Sequence, residues 1–423
     1  MKHLRALFTL LFVSTVMAEP KVIERNVVCA KTAIGDGGNR WGGHQGRIVR
    51  TKHGIFTAYT LPGKGDFLRE FRLVQLQGKS WKVIAEGVSG KDPVNLLCGP
   101  DGTLYILGWP DQLGTLWFGK PANGQIKLKK MTFPSPKLVK HNWPYASAGI
   151  DLKGNLCLLS SEGEKPHTPK FRLAFLSAKE KKWTFKEMVL PHRHCYSYVF
   201  PLGPSSLKLV STRDVRWHEI GLKKTPRGAP HGFSFNAFRS WYIEDVLKPE
   251  FKEQHFIEEK GTTDFPFSFC NAQNDSYIDS KGRLHILYRV EGERTKGREQ
   301  RFHLMLSASG EKLKEARIPD AAGVYCRIIE DDRGNFYILG SGGKRKGDGF
   351  TAGKAVIYEA GKDGFKTDKA IPLDLGSEKV EYSGFALACP RNGTALGQNL
   401  DLVFPSGPQG IKWNYCRIKL YSD

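Results

Sequence analysis

No internal apolar run in this 423-residue chain approaches the roughly 20 residues of a membrane helix, so an integral helical membrane protein is excluded. Helical periodicity is scarce throughout, which argues against a helical core. Acidic residues are in deficit, 43 Asp and Glu against 64 Lys and Arg, giving a formal net charge of +21. The cysteines lack the compact two-pair spacing of a strong zinc motif. The Gly- and Lys-rich segment Gly340–Gly347 lacks the Lys-Ser/Thr spacing of a P-loop and reads as a basic hairpin tip. What is present is ordinary for a globular protein: 40% hydrophobic and 25% charged residues, in a chain long enough for a large core.

The N-terminus has its own pattern. Lys2, His3 and Arg5 precede the apolar run Ala6–Met17, and Val16-Met17-Ala18 ends it on a small residue. This reads as a secretory signal over residues 1–18, leaving a mature chain from Glu19 that is periplasmic or secreted. A basic exported protein concentrates anionic partners around itself. Acidic polysaccharide then fits the compartment better than nucleic acid does, and membrane insertion is not expected.

Most of the eight cysteines lie within apolar, strand-like runs and are expected to be small buried thiols. Cys29 and Cys416, near opposite ends of the mature chain, are the one pair positioned to clamp a closed ring.

A unit recurs along the chain: an apolar strand, a turn containing Gly, and a second apolar strand. Its instances centre on His53-Gly54, Asp101-Gly102, Asp151–Gly154, Gly203-Pro204, Asp279–Gly282, Asp331–Gly334 and Asn392-Gly393. Gly accepts positive φ and Asp bonds its own backbone, so both suit hairpins. Seven such units predict an all-β chain folded as a seven-bladed β-propeller, rather than a pair of sandwiches. Residues 19–423 then form a single domain, with a longer gap over 214–265 read as an outer strand pair plus an insertion.

Just before the first strand of their repeats stand His44, Asn95, His141 and Tyr196, positions a propeller gathers around its axis. The stretch His141–Arg213 is the richest in groups able to do chemistry. It holds His141-Asn142-Trp143-Pro144, an Asp151–Gly154 hairpin, His167, a strand with Tyr196 and Tyr198 near Pro201, and Arg213 ending the next strand. That order resembles the BNR-repeat propeller family, in particular the short ulvan lyases, which cleave an acidic, sulfated algal polysaccharide. The resemblance implies a polysaccharide lyase with no cofactor needed for catalysis. It implies that His141 acts at the proton being moved, that His167 and Arg213 face the substrate carboxylate, and that Tyr196 or Tyr198 is the tyrosine. No Pro directly follows either tyrosine, so the choice between them stays open. The residue types fit β-elimination. Cationic groups facing a uronate carboxylate stabilise the enolate-like charge, while His or Tyr moves protons. His44, Asn142, Trp143, Trp217 and Arg289 are the expected substrate-binding residues, with the two tryptophans offering faces for sugar stacking.

Related lyases include one with a structural zinc. His218, His255 and Cys270 are the set in a similar region, and His192 and His194 beside Cys195 are a second. Two other functions compete. Gly46-Arg47-Ile48-Val49 and Tyr382-Ser383 resemble the arginine and tyrosine segments of sialidases, with Arg289 and Arg327 available to join an arginine cluster. The sialidase Ser-x-Asp-x-Gly-x-Thr-Trp repeat, however, is missing. The remaining alternative is a propeller that binds a glycan or surface partner without catalysis.

Overall fold

The computed structural model describes residues 19–35, 38–64, 69–110, 114–132, 144–162, 168–220, 233–259, 268–346, 349–381 and 384–422. The export signal expected over 1–18, together with His141, Asn142, Trp143, His167, Tyr382 and Ser383, lies outside these residues, as do the side chain of Trp217 and part of the basic segment 340–347.

Each of the seven hairpins read from the sequence forms, and each supplies the two inner strands of a four-stranded antiparallel sheet. Blade 1 comprises Ile48–Thr51, Gly54–Pro62, Arg69–Gln77 and Ser80–Ser89. Blade 2 comprises Asn95–Cys98, Leu104–Gly108, Thr115–Gly119 and Lys129–Thr132. Blade 3 comprises Ser147–Ile150, Leu156–Glu162, Lys170–Leu176 and Trp183–Val189. Blade 4 comprises His194–Pro201, Leu207–Arg216, Phe233–Ile243 and Lys252–Glu258, so the long gap in the repeat does contain an outer strand pair. Blade 5 comprises Phe269–Ile278, Leu284–Glu291, Gln300–Leu306 and Lys312–Ile318. Blade 6 comprises Cys326–Glu330, Phe336–Gly340, Val356–Gly361 and Ile371–Pro372. Blade 7 takes Ala386–Leu387, Asn399–Ser406 and Lys412–Lys419, with the N-terminal strand Lys21–Cys29 as its outer edge. The molecule is a seven-bladed β-propeller. Among the described residues no helix is long and apolar enough to cross a membrane.

The hairpins form locally because their aspartates close them. Asp151 accepts backbone N–H groups of Lys153 and Asn155 at 2.9 and 2.8 Å, and Gly154 takes a φ of +90°. Asp331 repeats the arrangement on Arg333 and Asn335, and Asp279 on Lys281 and Arg283. Buried apolar side chains fill the spaces between blades. One such layer sets Leu159, Phe171 and Phe175 of blade 3 against Val199, Leu209 and Trp241 of blade 4.

The clamp expected from Cys29 and Cys416 takes another form. All eight cysteines are free thiols. Cys29 lies opposite Trp413, and Cys416 lies opposite Arg25. The two ends of the chain do meet, but as paired strands: hydrogen bonds close the ring where a disulfide was expected. The closing strand also reaches both neighbours. Asn26 accepts the indole N–H of Trp81 in blade 1 at 2.6 Å, and Arg25 pairs with Asp374 after blade 6 at 2.7 Å.

The axis is plugged. Blade 7's inner hairpin sends Cys389–Thr394 inward, where the Asn392 carbonyl accepts the Cys98 N–H of blade 2 and the Arg391 carbonyl accepts the Ile150 N–H of blade 3, both at 2.9 Å. Asn392 Nδ2 donates to the Ile48 carbonyl of blade 1 at 2.8 Å. A β-carbon on Gly393 would stand 1.8 Å from the Cys98 carbonyl oxygen, so only glycine fits there.

Deleting residues 19–29 should lower the midpoint of thermal unfolding by on the order of 10 °C, since a whole edge strand is lost. Reductant should leave the intact protein's midpoint unchanged. Differential scanning calorimetry with and without dithiothreitol checks both.

Candidate functional site

Every inner strand starts at the end of the ring opposite its hairpin turn, and the second and third strands of each blade are joined at that same end. We call it the mouth. Hydrogen bonds tie strand ends there within blades 3 and 4, and one joins the two blades. The Pro144 carbonyl accepts the Ser161 N–H, the Pro169 carbonyl accepts the Leu190 N–H, and the Arg193 carbonyl accepts the Asp214 N–H, each at 2.8 Å. Ser161 Oγ donates to the His194 carbonyl.

Tyr145 and Tyr196, which precede or begin the inner strands of these two blades, both have positive φ, 42° and 52°. Bulky residues rarely occupy this region, and such strain collects at functional sites. Tyr196 sits in a bulge: Cys195 pairs with Thr212 and Tyr198 with Val210, so Tyr196 and Ser197 together face Ser211. Its ring is the hub of an aromatic cluster, edge-on to Tyr145 at 5.1 Å, His44 at 5.5 Å, Phe235 at 5.6 Å and Trp41 at 5.7 Å. Beside the cluster, Arg193 lies over the Tyr145 ring and pairs with the buried Asp214 at 2.7 Å.

The bulge separates the two candidate tyrosines. Tyr198 is fully buried, its hydroxyl donates to the Gln273 and Asn274 carbonyls at 3.1 and 3.3 Å, and burial pushes its pKa up. It belongs to the packing of blade 4 against blade 5. Tyr196 is the tyrosine of the mouth. Arg213 is buried too, bonded through Nε and Nη2 to Asn236 Oδ1 at 3.2 and 2.9 Å and paired with Glu258. Arg289 is held between Phe269 and Tyr325 at 4.9 and 4.8 Å, with Gln273 Oε1 at 3.2 Å. The structure thus brings His44 and Tyr196 together and commits Arg213 and Arg289 to scaffold partners.

Below the aromatic cluster, buried polar side chains converge on Ala146. Its carbonyl accepts His44 Nε2 at 3.2 Å, Asn95 Nδ2 at 3.3 Å and Gln45 Nε2 at 3.4 Å, while its N–H donates to Asp92 Oδ2 at 3.2 Å. A carbonyl only accepts, so the His44 proton is on Nε2 and the Nδ1 lone pair, buried and without a protein partner, is left as an acceptor. Burial, helped by the charges of Arg391 and Arg47, lowers the His44 pKa to about 3, so it is a neutral ring and not a proton carrier. Burial raises the Asp92 pKa to about 7.

The arginines of the proposed sialidase segment are likewise engaged. Arg47 is fully buried, donates to the Asn39 and Trp41 carbonyls, and has its pKa lowered to about 9 by burial and by Arg327. Arg327 donates to the carbonyls of Phe385 at 3.1 Å and Gly43 at 3.0 Å. Arg391, which the sequence reading missed, spans the axis to the Ala148 carbonyl at 3.1 Å and the His44 carbonyl at 3.0 Å. The cavity left among these groups is only about 20 Å³, room for a water. The axis therefore offers no carboxylate grip.

The expected metal ligands are not brought together. His218 is exposed on the short turn Trp217–Ile220, His255 lies opposite Ser240 on the outer strand pair of blade 4, and Cys270 is buried against Tyr198, Phe238 and Tyr288. His194 is buried between Trp241 and Phe171, and His192 is half-buried. Among the described residues no group of three or more His, Cys, Asp or Glu is placed to hold a metal ion.

No protein-family model matches the chain, and no curated protein matches it. Solved structures do. The fold resembles that of the polysaccharide lyase Uly1, with a TM-score of 0.54 and 11% identity over 95% of this chain and 99% of that one. More distant are the GH93 alpha-L-arabinofuranosidase of Fusarium graminearum, with a TM-score of 0.47, 10% identity and 77% and 91% of the two chains covered, and the alpha-L-arabinanase of Penicillium chrysogenum, at 0.45, 9%, 96% and 98%. At these identities the likeness speaks for the fold.

A pH dependence follows from Asp92. Its folded pKa is raised from 3.8 to about 7, so the folded state holds a proton that the unfolded state has released; stability falls as pH rises through that window. Asp92→Asn should therefore be more stable than the parent at pH 8 by roughly 1–3 kcal/mol and equal to it near pH 3.5, read from urea unfolding curves.

Proposed function

We propose that this protein is an exported polysaccharide lyase acting at the mouth of the propeller on an acidic, uronate-containing chain. The observation that carries the reading is the contact of blades 3 and 4 at the mouth, where Ser161 Oγ donates to the His194 carbonyl. Pro144, three residues after His141, accepts from Ser161, on the strand that precedes His167, and Ser161 also bonds the start of the strand bearing Tyr196. Described residues that neighbour these positions in sequence thus meet at one corner of the ring, which supports the reading. That a polysaccharide lyase has this fold supports the same reading.

In the proposed reaction a base removes the proton α to the uronate carboxylate. The C–H electrons become the new double bond, the glycosidic C–O bond breaks, and the departing oxygen takes a proton. His141 or Tyr196 removes the first proton and the other delivers the second; His167 faces the carboxylate. An ordinary tyrosine hydroxyl titrates near 10, so Tyr196 is suited to donating a proton, or to accepting one where a cation lies close. Arg193, over the adjacent Tyr145 ring, is a cation beside this cluster. His44 keeps the Tyr196 ring in place. Arg213, which the sequence assigns to the carboxylate, supports the site through Asn236 and Glu258 instead.

The reading is tested by following the absorbance of the unsaturated product on a panel of uronate polysaccharides. His141→Ala, His167→Ala and Tyr196→Phe should each lose about 10²–10⁴-fold in kcat with an unchanged melting point. Arg213→Ala should instead lose stability, by about 3 kcal/mol, because it leaves Glu258 without its partner. Absence of double-bond formation on every uronate polymer, with sugar released hydrolytically from any of them, would replace the lyase by a hydrolase; firm binding without either product would favour the non-catalytic reading.

A further inference from the structure

A second cavity lies away from the axis. It measures about 280 Å³ and lies against the face of blade 3 that looks toward blade 2. Trp109, at the mouth end of blade 2, forms one wall. Leu158, Ala174 and Phe185, paired side by side across three strands of blade 3, form another, and Ser160, Arg172 and Glu187, one step nearer the mouth, form the polar wall.

We propose that this cavity is a second glycan subsite, taking one uronate unit of the same chain that is cleaved at the mouth; the proposal rests on the lyase reading for its substrate class. Three features carry it. The first is position. The strands that line the cavity, Leu156–Glu162 and Lys170–Leu176, reach the mouth beside Pro144 and the start of the strand bearing Tyr196. The second is the lining. Phe185 is 39% exposed yet fixed by stacking on Trp183, with ring centres 6.2 Å apart and planes 18° from parallel. A rigid, accessible ring set opposite Trp109 suits the apolar face of a pyranose, while hydroxyls meet Ser160 and the charged wall. The third is charge. Arg172, paired with Glu187, and Lys186 both line the cavity, so cationic groups are at hand for a uronate carboxylate. The volume is just under the ~300 Å³ at which small-ligand pockets begin, so the site takes a single sugar unit and depends on the rest of the chain for avidity.

The test measures binding, not turnover. In a His141→Ala background, calorimetric affinity is compared for a uronic-acid octamer, a uronic-acid trimer and a neutral octamer. Phe185→Ala and R172Q should each weaken octamer binding about tenfold and leave trimer binding unchanged, and R172Q should also narrow the preference for the uronic over the neutral octamer. Phe185 is on the surface and Glu187 keeps its ion pair with Lys170 in R172Q, so both variants should retain the parent melting point. Octamer affinity within twofold of the parent in both variants overturns the subsite, as does a parent that binds the octamer no better than the trimer or fails to bind it. The lyase reading is judged separately, by double-bond formation in the protein with His141 intact.

Discussion

The structure depends on the segment that blade 7 inserts along the axis. A seven-bladed ring leaves a channel whose walls are strand edges, and backbone donors and acceptors there need partners. Here the partners come from Cys389–Thr394, which supplies carbonyls to Cys98 and Ile150 and an amide side chain to Ile48. Arg391 adds donors to Ala148 and to His44. One hairpin tip thereby fixes the inner strands of blades 1, 2 and 3 relative to blade 7, which the N-terminal strand joins to blade 1 from outside. Closure at the rim and closure at the axis act on the same seam.

His44 and Asn95, two of the groups that sequence equivalence gathers around the axis, form a buried foundation there. His44, Asn95, Gln45 and Asp92 share Ala146, and the arginines turn to backbone carbonyls. On this foundation stand Tyr145 and Tyr196, whose backbones are strained and whose rings lock against each other. Strain at two successive blades is a cost that the polar layer beneath them must offset, and a neutral His44 with one fixed tautomer does so without adding a buried charge.

Much of this was legible in the sequence. An Asp-x-x-Gly turn is closed by its own carboxylate, so Asp151–Gly154, Asp279–Gly282 and Asp331–Gly334 announce hairpins whatever surrounds them, and the spacing of the seven units gave the ring. What could not be read is what depends on distant partners or on an interrupted alternation. The bulge at Tyr196 shifts the strand's register by one residue, so alternation alone could not separate Tyr196 from Tyr198. Arg213 looked free because Glu258 lies 45 residues away in sequence. Cys29 and Cys416 correctly marked where the ends meet, but a thiol pair and a strand pair leave the same trace in a sequence. Arg391 had no local signal beyond its place in a turn.

The net charge of +21 divides into two kinds of cation with different physical work. A guanidinium has five donors and a planar fork, so it can be buried when several carbonyls surround it, and Arg47 and Arg327 are used in that way, while the half-buried Arg391 also turns to carbonyls. Lysine is a compact, strongly hydrated charge that stays outside. Lys129 and Lys130 on blade 2, and Lys179, Lys181 and Lys182 on blade 3, are exposed on the two blades that flank the proposed subsite. Their field extends about 8 Å at physiological ionic strength, so it acts toward the turn end of these blades rather than at the mouth. Arginine content therefore reports on how the mouth is held, and these lysines on the solvated charge of the blades' other end.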